Sequence, residues 1–197
     1  MNRTGTRSSS VGRFIAVVGP SGVGKDSVME ALCAAVPTLS RVHRVITRAP
    51  DAGGEDYESV DAVTFAAMAE RGAFALWWHA HGLSYGIPKS VGADLQQGRD
   101  VLANLSRSKL GEANAMFSRF VTLSIAADAD VLAARLIARG RESDEDQAKR
   151  LARASFAMPD DVPVVTVNNS GRLEDTVAAC LDVLGYTDAP NATSATA

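Results

Sequence analysis

FIAVVGPSGVGKDS, residues 14–27, is a run of five apolar residues that passes straight into a glycine-rich turn and a lysine. An apolar run of this length, closed by glycines, predicts a buried strand of a parallel sheet. After Gly24 the period changes: Val28, Met29, Leu32 and Val36 share one face at helical spacing. Strand, turn and helix start together present backbone N–H groups and a helix dipole to a phosphate. Gly19, Gly24 and Lys25 fit the phosphate-binding loop GxxxxGK, with Pro20, Ser21, Gly22 and Val23 between them. The full pattern ends in Ser or Thr, whose hydroxyl holds Mg²⁺. Here that position is Asp26, and Ser27 follows it. The stretch predicts a nucleotide phosphate site with one departure from the pattern.

The 197 residues suffice for one sizeable core. Apolar content of 46% and charged content of 22% are those of an ordinary globular protein. No run approaches the roughly 18 apolar residues of a membrane span. The basic start lacks an apolar segment after it, so it does not read as a secretory signal. Residues 1–12 and 187–197 are expected to be a disordered leader and tail around one domain over 13–186. Cys33 and Cys180 sit among Ala, Leu and Val, which predicts buried free thiols in a reducing, cytoplasmic setting. A net charge of −3 argues against general nucleic-acid binding. Nothing in the composition speaks to oligomeric state.

Along the chain, RVHRVITR (41–48) predicts one strand with Val42, Arg44, Ile46 and Arg48 on one side. Arg44 and Arg48 then form either a solvated edge or a clamp for a phosphate on a second substrate. A helix is predicted over about 61–71, with Val63, Phe65 and Ala67 as its apolar surface and Gly72 as its stop. Residues 74–86 predict two short strands around Gly82, with His79 and His81 sharing a face. Pro88 is expected to open a helix to about Gly98. VLANLS (101–106) predicts a buried strand ending in Asn104, Ser106 and then Arg107. Ligands of open α/β sheets lie beyond such strand ends. A helix over about 108–117, a strand over 119–127 and a helix capped by Asp128 or Asp130 follow. The charged segment 139–154 carries Arg139, Arg141, Arg150 and Arg153, either as a solvated helix or as a lid over phosphates. VPVVTVNNS (162–170) predicts a last buried strand ending in Asn168 and Asn169, with Asn168 a nucleotide-binding candidate. Leu173, Val177, Cys180, Leu181 and Leu184 give the last helix its face. The alternation predicts an α/β fold, a central parallel sheet covered on both sides.

These landmarks, in this order, resemble the guanylate-kinase-like branch of the P-loop kinases over about residues 14–185. The resemblance rests on the GPSGVGK loop, ITR (46–48), Tyr57, the SYG of Tyr85 and the run RGRESDEDQAKR. It implies a three-layer P-loop NTPase with a small acceptor-binding insertion at about 41–98 and an arginine-bearing lid at about 139–153. It also implies that Arg48, Tyr57 and Tyr85 bind an acceptor phosphate, and that Arg139 and Arg150 act on the transferring group. There are departures: guanylate kinases place a guanine-reading glutamate where Leu76 precedes Trp77, and paired aspartates where this chain has Asn104 and Ser106. The chain is more closely similar to the ribose 1,5-bisphosphate phosphokinase family, through GKDS (24–27), HRVITR (43–48), GGED (53–56), WHAHGLSYG (78–86), NLSR (104–107) and GRES (140–143). That family carries the Asp after the loop lysine.

The resemblance implies ATP-dependent phosphorylation of ribose 1,5-bisphosphate to 5-phosphoribosyl 1-diphosphate, with Mg²⁺. A phosphate monoester acceptor is largely a dianion at pH 7, its second pKa being about 6. It needs no general base, so positioning and charge neutralisation carry the reaction. Lys25, Arg139 and Arg150 are the catalytic candidates, and residues 19–27 with Asn168 hold the nucleotide. Asp26 and Ser27 are the Mg²⁺ candidates, Asp26 acting through water. Arg44, Arg48, Tyr57, Tyr85, Asn104, Ser106 and Arg107 are the candidates for binding the phosphorylated sugar. The alternatives are a nucleoside monophosphate kinase of altered base specificity, a small sugar-acid kinase and a non-catalytic binding module of the same fold.

Overall fold

The computed structural model describes residues 11–50, 55–138, 158–159 and 161–186. Five strands form one sheet in the order β2-β7-β1-β8-β9, every neighbouring pair parallel. They are β1 (Phe14–Val18), β2 (Ser40–Arg41), β7 (Val101–Asn104), β8 (Phe120–Ala126) and β9 (Val164–Asn168). β1 is central and wholly buried. Its alternation divides the interior in two. Phe14, Ala16 and Val18 enter one core, and Ile15 and Val17 enter the other. The second core is closed by helices α1 (Lys25–Ala35), α5 (Ala129–Ala138) and α6 (Leu173–Val183). The first is closed by α3 (Val91–Gln96) and α4 (Leu110–Met116), and it continues into a second sheet.

That second sheet has the order β4-β3-β6-β5, from β3 (Arg44–Ile46), β4 (Tyr57–Ser59), β5 (Phe74–Ala80) and β6 (Leu83–Pro88). Its inner face gives Ile46, Leu76, Trp78, Tyr85 and Ile87 to the first core. Its outer face gives Val45 and Phe74 to a small cluster under α2 (Ala62–Glu70), where Phe65 is the buried helical residue. A register shift between Phe74 and Leu76 turns Phe74 to the outer face while Leu76 stays inside. Gly86 is required there, because a Cβ would sit 2.5 Å from the Phe74 ring.

The main sheet is the one expected, but several local expectations are corrected. Residues 41–48 are two strands in two sheets: the Val42 N–H still bonds the Leu102 carbonyl, and the chain then crosses to pair with β4 and β6. β3 is an interior strand and is buried throughout, so its arginine does not face solvent. Pro88 ends β6 opposite Phe74 instead of opening a helix, a position where its missing N–H is tolerated. Val63 is 80% exposed, and the face of α2 is Phe65 with Met68 and Ala69. His81 lies in the hairpin turn at φ 53, so it does not share a strand face with His79. β9 is an edge strand and only half-buried. The lid segment 139–153, with Arg139, Arg141, Arg150 and Arg153, lies outside the described residues.

One polar knot joins the start of β1 to the residues that follow the last helix. The Arg13 backbone N–H and Nε donate to Asp100 at 2.6 and 2.8 Å, and Arg13 Nη1 reaches the Leu184 carbonyl at 2.6 Å. The Tyr186 hydroxyl donates to Asp100 Oδ2 at 2.5 Å. Burial alone would raise the Asp100 pKa, but the hydrogen bonds from Arg13 and Tyr186 outweigh it and hold the carboxyl below its usual range. Its folded pKa is therefore below its unfolded one, near 4. The stabilisation is fully present above that unfolded value and is lost as pH falls through the folded one. Asp100→Asn is expected to cost about 2 kcal/mol at neutral pH, because Arg13 keeps its burial and loses its counter-ion. Urea unfolding of both proteins at decreasing pH checks this: the gap must narrow on the acid side, and a constant gap would rule the account out.

Candidate active site

The glycine-rich turn leaves β1 at Gly19 and enters α1 through Gly24. Gly24 is left-handed, at φ 92, and caps the helix without a side chain. No side chain caps the start of this 11-residue helix, the end at which helices bind anions. The turn is tightly packed from behind. A Cβ on Gly19 would lie 2.4 Å from the Ile125 carbonyl oxygen, and one on Gly24 would lie 2.7 Å from Asn169 Nδ2. Asn169, buried to 4% exposure, donates to the Val23 carbonyl at 2.7 Å and accepts from the Thr176 hydroxyl at 2.8 Å. Arg135 Nη1 lies 3.4 Å from the same Val23 oxygen. Lys25 Nζ donates to the carbonyls of Gly19 at 2.9 Å and Pro20 at 3.1 Å, which folds it across the turn.

Asp26, the departure from the loop pattern, is paired: Arg41 Nη2 donates to its Oδ1 at 2.9 Å. The carboxylate thus stands at the phosphate end of α1 with its charge offset by the last residue of β2. Ser27 is exposed on the next position of the helix. Asn168 donates to Asp128 Oδ1 at 3.2 Å and accepts from the Ser170 N–H at 2.7 Å, organising the loop after β9.

Across from the turn, the inner face of the second sheet brings four of the expected sugar-binding residues together. Arg44 is buried to 6% exposure, with its guanidinium carbon 5.1 Å from the Tyr85 ring centre and 5.8 Å from that of Trp78. Trp78 and Tyr85 stack at 5.3 Å, as directly opposed cross-strand residues. Arg44 Nη2 bonds the Glu55 carboxylate, itself almost fully buried. Burial pulls the Arg44 pKa down to about 10, Tyr85 and Asp26 oppose this, and the nearby charges of Arg48 and Arg41 add to it. The group stays a cation at neutral pH. Arg48 lies over the Tyr57 ring at 5.6 Å, and the Tyr57 hydroxyl donates to the Ala49 carbonyl at 2.5 Å. A cleft of about 410 Å³, lined by Arg41, Val42, His43 and Asp56, opens where the chain crosses between the sheets.

Asn104 ends β7, and Ser106 and Arg107 follow at a 3-10 turn over Arg107–Lys109. The Ser106 and Ser108 hydroxyls are 2.9 Å apart. Ser108 and Lys109 line a separate cleft of about 420 Å³ with Trp77, Trp78 and His79. His79 bonds the Ser84 hydroxyl at 2.8 Å, and no His, Cys, Asp and Glu cluster among the described residues could hold a metal ion.

The guanylate kinase family model matches residues 11–185. Ribose 1,5-bisphosphate phosphokinase of Ruegeria sp. (strain TM1040) is 51% identical over 84% of this chain and 88% of its own length. This chain belongs to the ribose 1,5-bisphosphate phosphokinase family. Relatives of the same name from Rhizobium etli (strain CIAT 652) and Agrobacterium fabrum are each 46% identical, over 88% and 87% of this chain and 89% and 95% of their own. Among solved structures, a guanylate kinase from Anaplasma phagocytophilum superposes with a TM-score of 0.63 at 20% identity, over 90% of this chain and 86% of that one. That likeness concerns the fold.

Within this phosphokinase fold, sequence reasoning missed four residues. Arg41 opens the stretch read as a single strand, and only its place in β2 of the main sheet brings it to Asp26. Asn169 and Arg135 brace the Val23 carbonyl from elements more than a hundred residues away. An Asn-Asn doublet at a strand end was the one visible signal for Asn169. Glu55 sits in a loop whose composition carries no sign of burial.

Proposed function

We propose that this protein transfers the γ-phosphoryl group of ATP to the 1-phosphate of ribose 1,5-bisphosphate, forming 5-phosphoribosyl 1-diphosphate. The 51% identity to a phosphokinase of that name over most of both chains carries the reading. The braced glycine turn facing an arginine-bearing sheet is consistent with it. Leu76 adds support: it is fully buried in the shared core, at the place where guanylate kinases present a carboxylate to guanine.

The turn fits a nucleotide phosphate, since Gly22 and Gly24 hold left-handed backbone at φ 82 and 92, packed too close to Leu136 and Asn169 to admit a Cβ. Residues 21–25 offer N–H groups to the β-phosphate, and Lys25 exchanges its loop carbonyls for β- and γ-phosphate oxygens. Asp26 supplies a hard oxygen suited to Mg²⁺, directly or through water, and Arg41 holds that oxygen while lowering its repulsion from the triphosphate. Mg²⁺, when bound, neutralises charge on the phosphates. Ser27 and Asn168 serve the nucleotide from the rim. Arg48, Tyr57 and Tyr85 hold the acceptor phosphate, and Asn104, Ser106 and Arg107 contribute to sugar binding. Arg139 and Arg150 close over the transferring group by family resemblance. The setting is cytoplasmic, with Cys33 and Cys180 as free thiols.

The acceptor dianion attacks without losing a proton, so no essential base is expected at the acceptor side. Purified protein with ATP and Mg²⁺, offered ribose 1,5-bisphosphate, GMP, AMP and pyrimidine monophosphates in parallel, should form product only from the sugar. Mass analysis of the product decides it. Preferred turnover of a nucleotide would replace this reading by a nucleoside monophosphate kinase.

A further inference from the structure

The acceptor in the proposed reaction carries two phosphates, of which one reacts. β3 carries Arg44, and Arg48 follows it in the bend just after the strand. The two cations lie close enough for their charges to interact. Their settings differ. Arg48 is partly exposed beside Tyr57, whereas Arg44 is enclosed between Tyr85, Trp78 and Glu55.

Arg44 also has an unexplained feature. Its Nε is fully buried and has no hydrogen-bond partner. A buried cationic N–H without an acceptor is costly, and native folds keep few of them without a reason. Glu55 engages Nη2 and leaves Nε unpaired. A phosphate monoester carries more charge than a carboxylate and has three acceptor oxygens, so it can take Nε and Nη2 together.

Resting on the function proposed above, we propose that Arg44 binds the second, non-reacting phosphate of the acceptor, and that Glu55 is the counter-ion which that phosphate displaces. Arg44 is then the residue that selects a sugar bisphosphate over a monophosphate. Glu55 keeps the buried cation paired while the site is empty and sets a threshold that only a dianion overcomes.

Calorimetric binding of two half-acceptors tests this: ribose 5-phosphate carries only the second phosphate, and ribose 1-phosphate only the reacting one. In the Arg44→Gln/Glu55→Gln double variant, which leaves no unpaired buried charge, ribose 5-phosphate should weaken about 30-fold more than ribose 1-phosphate. Glu55→Gln alone should tighten ribose 5-phosphate several-fold and lower KM for ribose 1,5-bisphosphate with little change in kcat. Equal weakening of both half-acceptors in the double variant, or weaker ribose 5-phosphate binding in Glu55→Gln, would make the pair a structural one and overturn the inference. Wild-type turnover of ribose 1,5-bisphosphate separates the two failures. Without that turnover the proposed function falls and takes the inference with it; with turnover and unshifted selectivity, the inference alone falls.

Discussion

Lys25→Ala is expected to lower kcat by about 10³-fold or more while the protein stays folded. The lysine is partly exposed, donates to carbonyls of its own turn and belongs to neither apolar core, so the cores should survive its removal. Its effect falls on the reaction, in which several negative phosphate groups must approach in line. A cation placed at the bridging oxygens acts where charge shifts during transfer, and losses of a single such group run to about 10²–10³ or beyond. A thousandfold loss corresponds to about 4 kcal/mol of transition-state stabilisation. Turnover by product mass, ATP binding by calorimetry and thermal melting form the check together. An unchanged melting temperature with a collapsed kcat is the expected pattern. Full activity in the variant would revive a role for this chain that needs no phosphoryl transfer.

The second large effect belongs to Gly19→Ala, and it is expected to appear first in stability. Gly19 sits at φ 154, where β1 turns into the loop. An added Cβ would lie 2.4 Å from the Ile125 carbonyl oxygen and 3.0 Å from Val23 Cγ1. The first contact is backbone of the adjacent strand β8, which cannot rotate away as a side chain can. Either β1 and β8 separate, breaking parallel pairing in the centre of the sheet, or the turn shifts and misplaces its N–H groups. Overpacking and conformational strain each cost about 1–3 kcal/mol, so about 3 kcal/mol in all is expected, or roughly 10 °C in melting temperature. ATP affinity should fall with it. A variant that melts like the wild type and binds ATP normally would show that the loop has room which this packing denies.

The corrections within the fold share one cause. Residues 41–48 alternate well enough to read as one strand, and the alternation itself is real. Arg44 and Ile46 do share a face. Local periodicity carries no information about where pairing partners change, and the crossing after Val42 is set by hydrogen bonds to β7 on one side and to β4 and β6 on the other. The expected helix start at Pro88 fails for the same reason, since fixed φ and a missing N–H suit both a helix start and a strand end. Only its partner Phe74 selects between them.

By itself, the sequence determined the phosphate turn, the strand before it, the helix after it and the alternation that builds a parallel sheet. These are properties of short segments: glycine spacing, apolar runs and helical period act over a few residues and survive in any context. Six short motifs in order were also enough to point to the phosphokinase family. The tertiary structure alone decided how that turn is charged and braced. Asp26 looked like a flaw beside a lysine; it is a carboxylate held by Arg41 from the edge of the sheet. Asn169 fixes the turn from the far end of the chain, and Glu55 meets Arg44 beneath two stacked rings. Such pairs join residues 11 to 146 positions apart, and their energy depends on burial and distance, which no local pattern encodes.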